Sequence, residues 1–295
     1  MAEDRKQALV SIVIPFRNSA AFLTACCNSV IDQTYTHWEA ILIDDNSRDE
    51  SALIAAHFAT LDSRFRLIAS GRLPQDPAGP WLPRNQGLRV ARGQYVAFLD
   101  ADDLWLQDKL YCQIQLLQKG SYDLCVCSYF RFSDKNRQIS ERRQPPTGHW
   151  PSLLKIMNPI PLSTVVVRRE LIRDGFRAVC HEDHDSWQRL FAARKVSYAS
   201  CEKSLVAYRI HSKSLTGSWW QKLSMRQAML QTEAGHIRII GWALFLFIHF
   251  IYQLQSLPWR LQRRLIESQG FKMAKPVPFQ TGGTSSFRKD GGRRT

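Results

Sequence analysis

In "YVAFLDADDLW" (Tyr95 to Trp105) five apolar, strand-like residues run directly into Asp100, Asp102 and Asp103. Three carboxylates within four positions repel one another. Held at the end of a buried segment, they require a cation or a set of hydrogen-bond donors.

Upstream of this stretch, short apolar runs alternate with amphipathic ones. "LVSIVIP" (Leu9 to Pro15) is a near-continuous β-branched run, as expected for a strand buried on both faces. Ala20 to Gln33 spaces Phe22, Leu23, Cys26, Cys27, Val30 and Ile31 along one helical face. "AILI" (Ala40 to Ile43) predicts a second strand, ending in Asp44 and Asp45, and Ser47 with Glu50 reads as a capping box for a helix through Phe58. "RLIA" (Arg66 to Ala69) is a third strand. A Pro- and Gly-rich loop, Ser70 to Pro83, then leads into a helix whose end Gly93 suits as the residue past the cap. "YVAFL" is the fourth strand, and a helix follows over about 107–119. Repeated strand, loop and helix units predict a doubly wound, mainly parallel α/β sheet with helices on both faces.

Beyond Asp123 the pattern loosens. Strands are expected at Leu124 to Phe132, Thr164 to Arg168 and Ser204 to Ile210, with a polar loop from Ser133 to Pro151 and a short helix from Glu182. The expected organisation is one domain over 1–218, with a first half at about 9–122 and a second at about 123–218. A helical, aromatic and basic extension follows over 219–270, then a disordered basic tail over 271–295.

Composition narrows the function classes. The 295 residues are 44% apolar and 11% aromatic, ample for a core, and the net charge is +14. Nine Lys/Arg against Glu267 and Asp290 put +7 of that charge in Ser256 to Thr295, so half of it belongs to a tail. No nucleic-acid module accompanies the charge, and nucleic acid is excluded as a partner. Seven cysteines with no C-x-x-C spacing argue against a zinc ribbon or a secreted disulfide framework, and the N-terminus lacks a signal-peptide core. A cytoplasmic protein is expected.

"IIGWALFLFIHFI" (Ile239 to Ile251) is too short to span a bilayer. With Arg260, Arg263 and Arg264 behind it, the segment 239–264 suits an anionic membrane surface on the cytoplasmic face. Packing on the catalytic domain, or on a second copy in a homo-oligomer, is the alternative, and both readings stay open.

Ligands of open α/β sheets gather at the carboxyl ends of parallel strands. Asp44 and Asp45 and the Asp100 group share that edge. Oxygen-rich clusters favour Mn²⁺ or Mg²⁺, and such ions leave positions open for phosphate oxygens. Of the three clustered carboxylates, Asp103 is the one that capping of the next helix most readily explains. Arg84, in "PRNQG", is either a partner for phosphate or a solvated arginine. "HEDHDSW" (His181 to Trp187) supplies either a general base or acids that complement a helix dipole. His211, a lone histidine after the last strand, is open in the same way. No glycine lies in "IPFRNSAAF", which argues against a nucleotidyltransferase phosphate loop and a dinucleotide-binding turn, and no aspartate nucleophile follows the first strand.

From about Leu9 to Thr216 the ordered motifs "VSIVIPFRN", "SVIDQTYTHWEAILIDDNSRD", "RNQGLRVARGQYVAFLDADDLW", Gly175-Phe176, "EDHDSWQRL" and "YRIHSKSLT" resemble the family 2 glycosyltransferases with the GT-A fold. The resemblance implies an inverting, metal-dependent transfer from a nucleoside-diphosphate sugar, by analogy a UDP-sugar, to a glycan or glycolipid acceptor in cell-surface polysaccharide synthesis. It implies that Pro15, Asp44 and Asp45 line the nucleotide pocket and that Arg84 lies near the diphosphate. Asp100 and Asp102 match the D-x-D of ribose and metal, with Asp103 assisting. Asp183, in the Glu182-Asp183 pair, would be the catalytic base, and His211 would lie near the metal. Arg17, where Tyr or Phe is common, and Ser186, where Leu is usual, depart from the pattern. The competing class is a catalytically silent, membrane-associated scaffold of a polysaccharide assembly system.

Overall fold

The computed structural model describes residues 7–133, 139–143, 151, 154 and 158–211. The expected extension over 219–270, the segment 239–264 and the tail lie outside the described residues. In chain order the elements are β1 (Val10–Phe16), α1 (Ala20–Ile31), β2 (Trp38–Asp44), α2 (Ser51–Leu61), β3 (Phe65–Ala69), α3 (Trp81–Val90), β4 (Tyr95–Phe98), β5 (Leu104–Trp105), α4 (Lys109–Lys119), β6 (Leu124–Ser133), β7 (Ile139–Arg143), β8 (Val165–Arg168), α5 (Glu182–Ala193) and β9 (Tyr198–Ile210).

Strand order in the sheet is β3-β2-β1-β4-β8-β6-β9-β5, with β7 on β6. The first four strands in this order run parallel. β8 is antiparallel to both β4 and β6, so the sheet as a whole is mixed. Side chains on a strand alternate faces, and both faces here are apolar. Val10, Ile12 and Ile14 of β1, Ala40 and Leu42 of β2, and Tyr95 and Ala97 of β4 pack with Leu23, Phe58 and Leu110 from α1, α2 and α4. Val13, Ile41, Ile43, Val96 and Phe98 pack on the other face with Trp187 and Leu190 of α5 and Leu88 of α3. That double burial is why these strands read as continuous apolar runs. Each fully buried Val, Leu, Ile or Phe contributes roughly 1.5–3 kcal/mol.

The capping box at Ser47 and Glu50 does not form. α2 starts at Ser51 without a side-chain cap, because Ser47 is used in a loop: its Oγ accepts from Asn18 N at 3.1 Å and its N–H donates to Asp44 Oδ1 at 2.9 Å. Gly93 is not a helix cap either, since α3 ends with Ala91 as its cap. Gly93 is required by close approach: a Cβ there would lie 2.6 Å from Ser11 N and 2.7 Å from Leu9 O. Its N–H donates to Ser11 Oγ at 2.8 Å, within a buried polar knot where Ser11 and the Arg92 N–H both donate to Glu39. The polar loop expected over 133–151 carries β7, and the short β5 had no sequence signal. β5 is fixed from outside, by pairing with Ala207 and Val206 of β9.

Candidate functional site

Because β1, β2 and β4 run in one direction, their carboxyl ends lie on one edge. Pro15 is buried, in register with Ile43. The Asp45 N–H donates to Phe16 O at 2.9 Å, pinning the second acidic pair beside β1. Asp44 accepts the Ser47 N–H in a local turn. Asp45 is buried in an ion pair that the sequence reading missed: Oδ1 accepts from Arg72 Nε at 2.8 Å and from Ser70 Oγ at 2.7 Å. The Arg72 Nη atoms donate to Pro77 O and Gly79 O. One buried guanidinium thus shapes the Ser70 to Pro83 loop. Arg17 is exposed at the rim.

The three carboxylates after β4 have three different environments. Asp100 accepts from Arg84 Nη2 at 2.6 Å, and its N–H donates to Ser163 Oγ at 3.2 Å. Asp102, partly exposed, accepts from His211 Nε2 at 2.9 Å. Burial and the neighbouring Asp100 charge push the Asp102 carboxyl above its ordinary range, and the His211 hydrogen bond opposes this. Asp103 is not a helix cap, because α4 begins at Lys109 with Asp108 before it. It is buried, accepting from the Arg209 N–H at 3.0 Å and from Ser163 Oγ at 2.7 Å. Burial, reinforced by Asp102 and Asp100, drives its pKa well up. Phe22 stacks on the His211 ring at 4.9 Å and carries the Arg209 guanidinium 5.0 Å from its own ring.

Arg84 is no surface arginine. It is 5% exposed, one Nη on Asp100 and the other on Glu182 Oε1. Burial works against its charge, yet the carboxylates around it outweigh that and raise its pKa. Glu182 is raised by burial, with Arg84 pulling the other way. α5 starts at Glu182 because His181 turns the chain through the left-handed region (φ 59°), and its first turn carries Glu182, Asp183 and Asp185 where the helix dipole favours anions. Asp183 accepts from Asn158 Nδ2 at 2.7 Å on one oxygen and from the His184 N–H at 2.8 Å on the other.

Asn85, next to Arg84, grips Phe176 through both backbone groups: Nδ2 donates to Phe176 O and Oδ1 accepts from Phe176 N, each at 2.8 Å. The Phe176 ring lies 5.7 Å from the Arg84 guanidinium carbon. Gly175 makes this grip possible, with φ at +61° and Asn85 Oδ1 only 2.4 Å from where a Cβ would stand. Ser186 donates to Gly175 O at 3.4 Å, so the departure at this position braces the same turn.

The structure therefore brings Asp100 and Glu182 onto one guanidinium and pairs Asp102 with His211. Sequence reasoning missed Arg72, Asn85, Asn158, Ser163 and Arg209, whose partners are mostly remote in the chain and leave no local pattern. Among the described residues, no group of three or more His, Cys, Asp or Glu is arranged to hold a metal ion. No described helix is long and apolar enough to cross a membrane.

Comparison with known proteins follows the same lines. S. aureus TarS 1-349, solved in complex with UDP-GlcNAc, is similar in fold at 18% identity, TM-score 0.58, over 83% of this chain and 73% of that one. The mannosyltransferase PcManGT from Pyrobaculum calidifontis, solved with GDP-Man and Mn²⁺, gives a TM-score of 0.58 at 16% identity, over 92% and 78%. Both support a GT-A-like fold. The Escherichia coli protein WfgD, a UDP-Glc:alpha-D-GlcNAc-diphosphoundecaprenol beta-1,3-glucosyltransferase, is 30% identical over 75% of this chain and 85% of its own. The putative teichuronic acid biosynthesis glycosyltransferase TuaG of Bacillus subtilis is 28% identical over 72% and 83%. The family model "Glycosyl transferase family 2" matches residues 11–179, ending just short of the Glu182-Asp183 pair. The chain belongs to glycosyl transferase family 2.

Proposed function

We propose that this glycosyltransferase moves a sugar from a uridine diphosphate sugar to a hydroxyl of a lipid-linked glycan acceptor, inverting the anomeric carbon, at the cytoplasmic face of the membrane. The observation that carries this is the Arg84 bridge. One buried guanidinium spans Asp100 at the end of β4 and Glu182 at the start of α5, so the acidic groups of the two halves lie within its reach. The relative named for UDP-Glc and diphosphoundecaprenol, and TarS with UDP-GlcNAc, support the donor and acceptor classes.

Pro15, Asp44 and Asp45 line the base pocket, with Asp45 held against Arg72. Asp100 meets the ribose. Asp183 takes the acceptor hydroxyl's proton as that oxygen attacks the anomeric carbon opposite the departing nucleotide. Asn158 and the His184 N–H hold the Asp183 carboxylate from either side. Glu182, committed to Arg84, positions that guanidinium and takes no proton. Asp103, with both oxygens occupied, anchors β9 and does not face the donor.

The residues fit a divalent ion. Asp102 and His211 offer a carboxylate and an imidazole at hydrogen-bond distance, both partly exposed, with Asp100 two residues away. A mixed oxygen and nitrogen donor set would suit Mn²⁺ better than Mg²⁺. When bound, such an ion neutralises charge developing on the leaving diphosphate.

The test is a panel of nucleotide sugars, each assayed with Mn²⁺, with Mg²⁺ and with chelator. Chelator-sensitive turnover of a UDP-sugar is expected, lost in Asp102→Asn. Asp183→Asn is expected to bind donor normally and to transfer nothing; unchanged turnover in either variant overturns that residue's role.

A further inference from the structure

Between α3 and the segment after β8 lies an open cleft of about 370 Å³, with Asn85, Arg89, Arg169 and Arg173 in its walls. A smaller cleft of about 160 Å³ shares Arg169 and Arg173 and adds Arg168. We propose that these two clefts, which share Arg169 and Arg173, form a second anion-binding site, for a phosphate or diphosphate group, separate from the donor site.

Three features carry this. First, guanidinium groups gather here from two elements and are not spent on the protein. Arg173 is exposed and has no hydrogen bond or ion pair to a described residue, and Arg169 uses only Nε, donating to Gly93 O at 2.8 Å. Arg89 makes only a 3.4 Å contact with Gln86. Planar guanidinium forks match phosphate oxygens two at a time. Second, the charge balance is positive. Glu170 and Asp174 also line the clefts, against Arg89, Arg168, Arg169 and Arg173, and Arg168 is engaged with Asp123 at 3.3 Å. Third, the cleft is built on fixed backbone. Asn85 and Gly175 belong to its wall and are locked through Phe176, while none of the carboxylates at the Arg84 bridge lines it. The arginines lie toward the amino end of β4, where Arg168 pairs with Tyr95 and Arg169 donates to Gly93 O, so a phosphorylated group held there does not compete for the donor's carboxylates at the opposite end of the strand.

The group could arrive free in solution or on a lipid headgroup, and the experiment separates the two. The full chain, in chelator, is titrated with inorganic pyrophosphate by calorimetry, and is also floated with phosphatidylglycerol and with phosphatidylcholine vesicles. Arg89→Gln/Arg173→Gln is compared throughout, with UDP binding in Mn²⁺ as the control for an intact fold and donor site. The expected result is that the double variant loses about ten-fold or more in affinity for pyrophosphate, for phosphatidylglycerol vesicles, or for both, with UDP binding unchanged. Loss for pyrophosphate alone assigns a soluble ligand, and loss for vesicles a headgroup. Wild type that binds neither probe, or a variant that binds both as wild type does, overturns the site. Failure of UDP to bind wild type would instead strike the donor assignment and leave this one standing.

Discussion

Lys109 allows a quantitative test of how the core beneath the site is held. It stands at the start of α4, fully buried, its Nζ without a hydrogen-bond partner and 3.9 Å from the centroid of the Trp105 ring. Burial brings its pKa from the ordinary 10.5 down to about 8. A shift of that size corresponds to about 3 kcal/mol against folding at neutral pH, at 1.36 kcal/mol per unit. The cation–π contact with Trp105 returns at most about 2 kcal/mol. Lys109→Met keeps the length and a favourable sulfur–ring contact, so it should stabilise the fold by roughly 1–3 kcal/mol at pH 7. The sign with pH follows from proton counts. Below pH 8 both folded and unfolded lysine are charged and the full cost applies. Between about 8 and 10.5 the unfolded chain holds the proton that the folded chain has released, so wild-type stability rises with pH across that window. The gap between variant and wild type, read by urea unfolding at pH 7, 9 and 10.5, should narrow steadily. A destabilised variant at pH 7, or a gap independent of pH, would refute the reasoning and mean that the Trp105 contact outweighs burial.

Gly175→Ala should cost roughly 2–4 kcal/mol, the sum of a left-handed backbone and a lost Asn85 hydrogen bond; an unfolding midpoint equal to wild type would show that the turn relaxes freely. Asn158→Ala removes a hydrogen bond to the Asp183 carboxylate, a loss of about 1.5–3 kcal/mol. If Asp183 is the base, kcat should fall about ten- to hundred-fold with the donor KM unchanged, and a rise in KM alone would assign Asn158 to binding instead.

The alternation of strand and helix was legible because β1, β2 and β4 are apolar on both faces, and the carboxylates at their ends could be placed on one edge from direction alone. What misled was punctuation. Ser47 and Gly93 carry the residue types of helix boundaries, yet each is recruited by a distant partner, Asn18 and Ser11, that a local pattern does not contain. The same holds within the site. Arg84 was visible as a basic residue near the edge, but its burial depends on Glu182, 98 positions away. Asn158 and Ser163, in a stretch without strong periodicity, gave no signal at all.

Those long-range partners also explain how three neighbouring aspartates coexist. Coulomb repulsion between adjacent carboxylates grows as they leave water, so each needs its own compensation. Asp100 has a full positive charge in Arg84. Asp103, in the driest position, is met by neutral donors, the Ser163 hydroxyl and the Arg209 N–H, and these only partly offset the upward push on its pKa from burial and from the Asp102 and Asp100 charges. Asp102 has only an imidazole that is charged when protonated, and it keeps about a third of its side-chain surface. Of the three, Asp102 is therefore the carboxylate whose environment would gain most from an added cation, and that inequality supports the proposal that it would hold the metal.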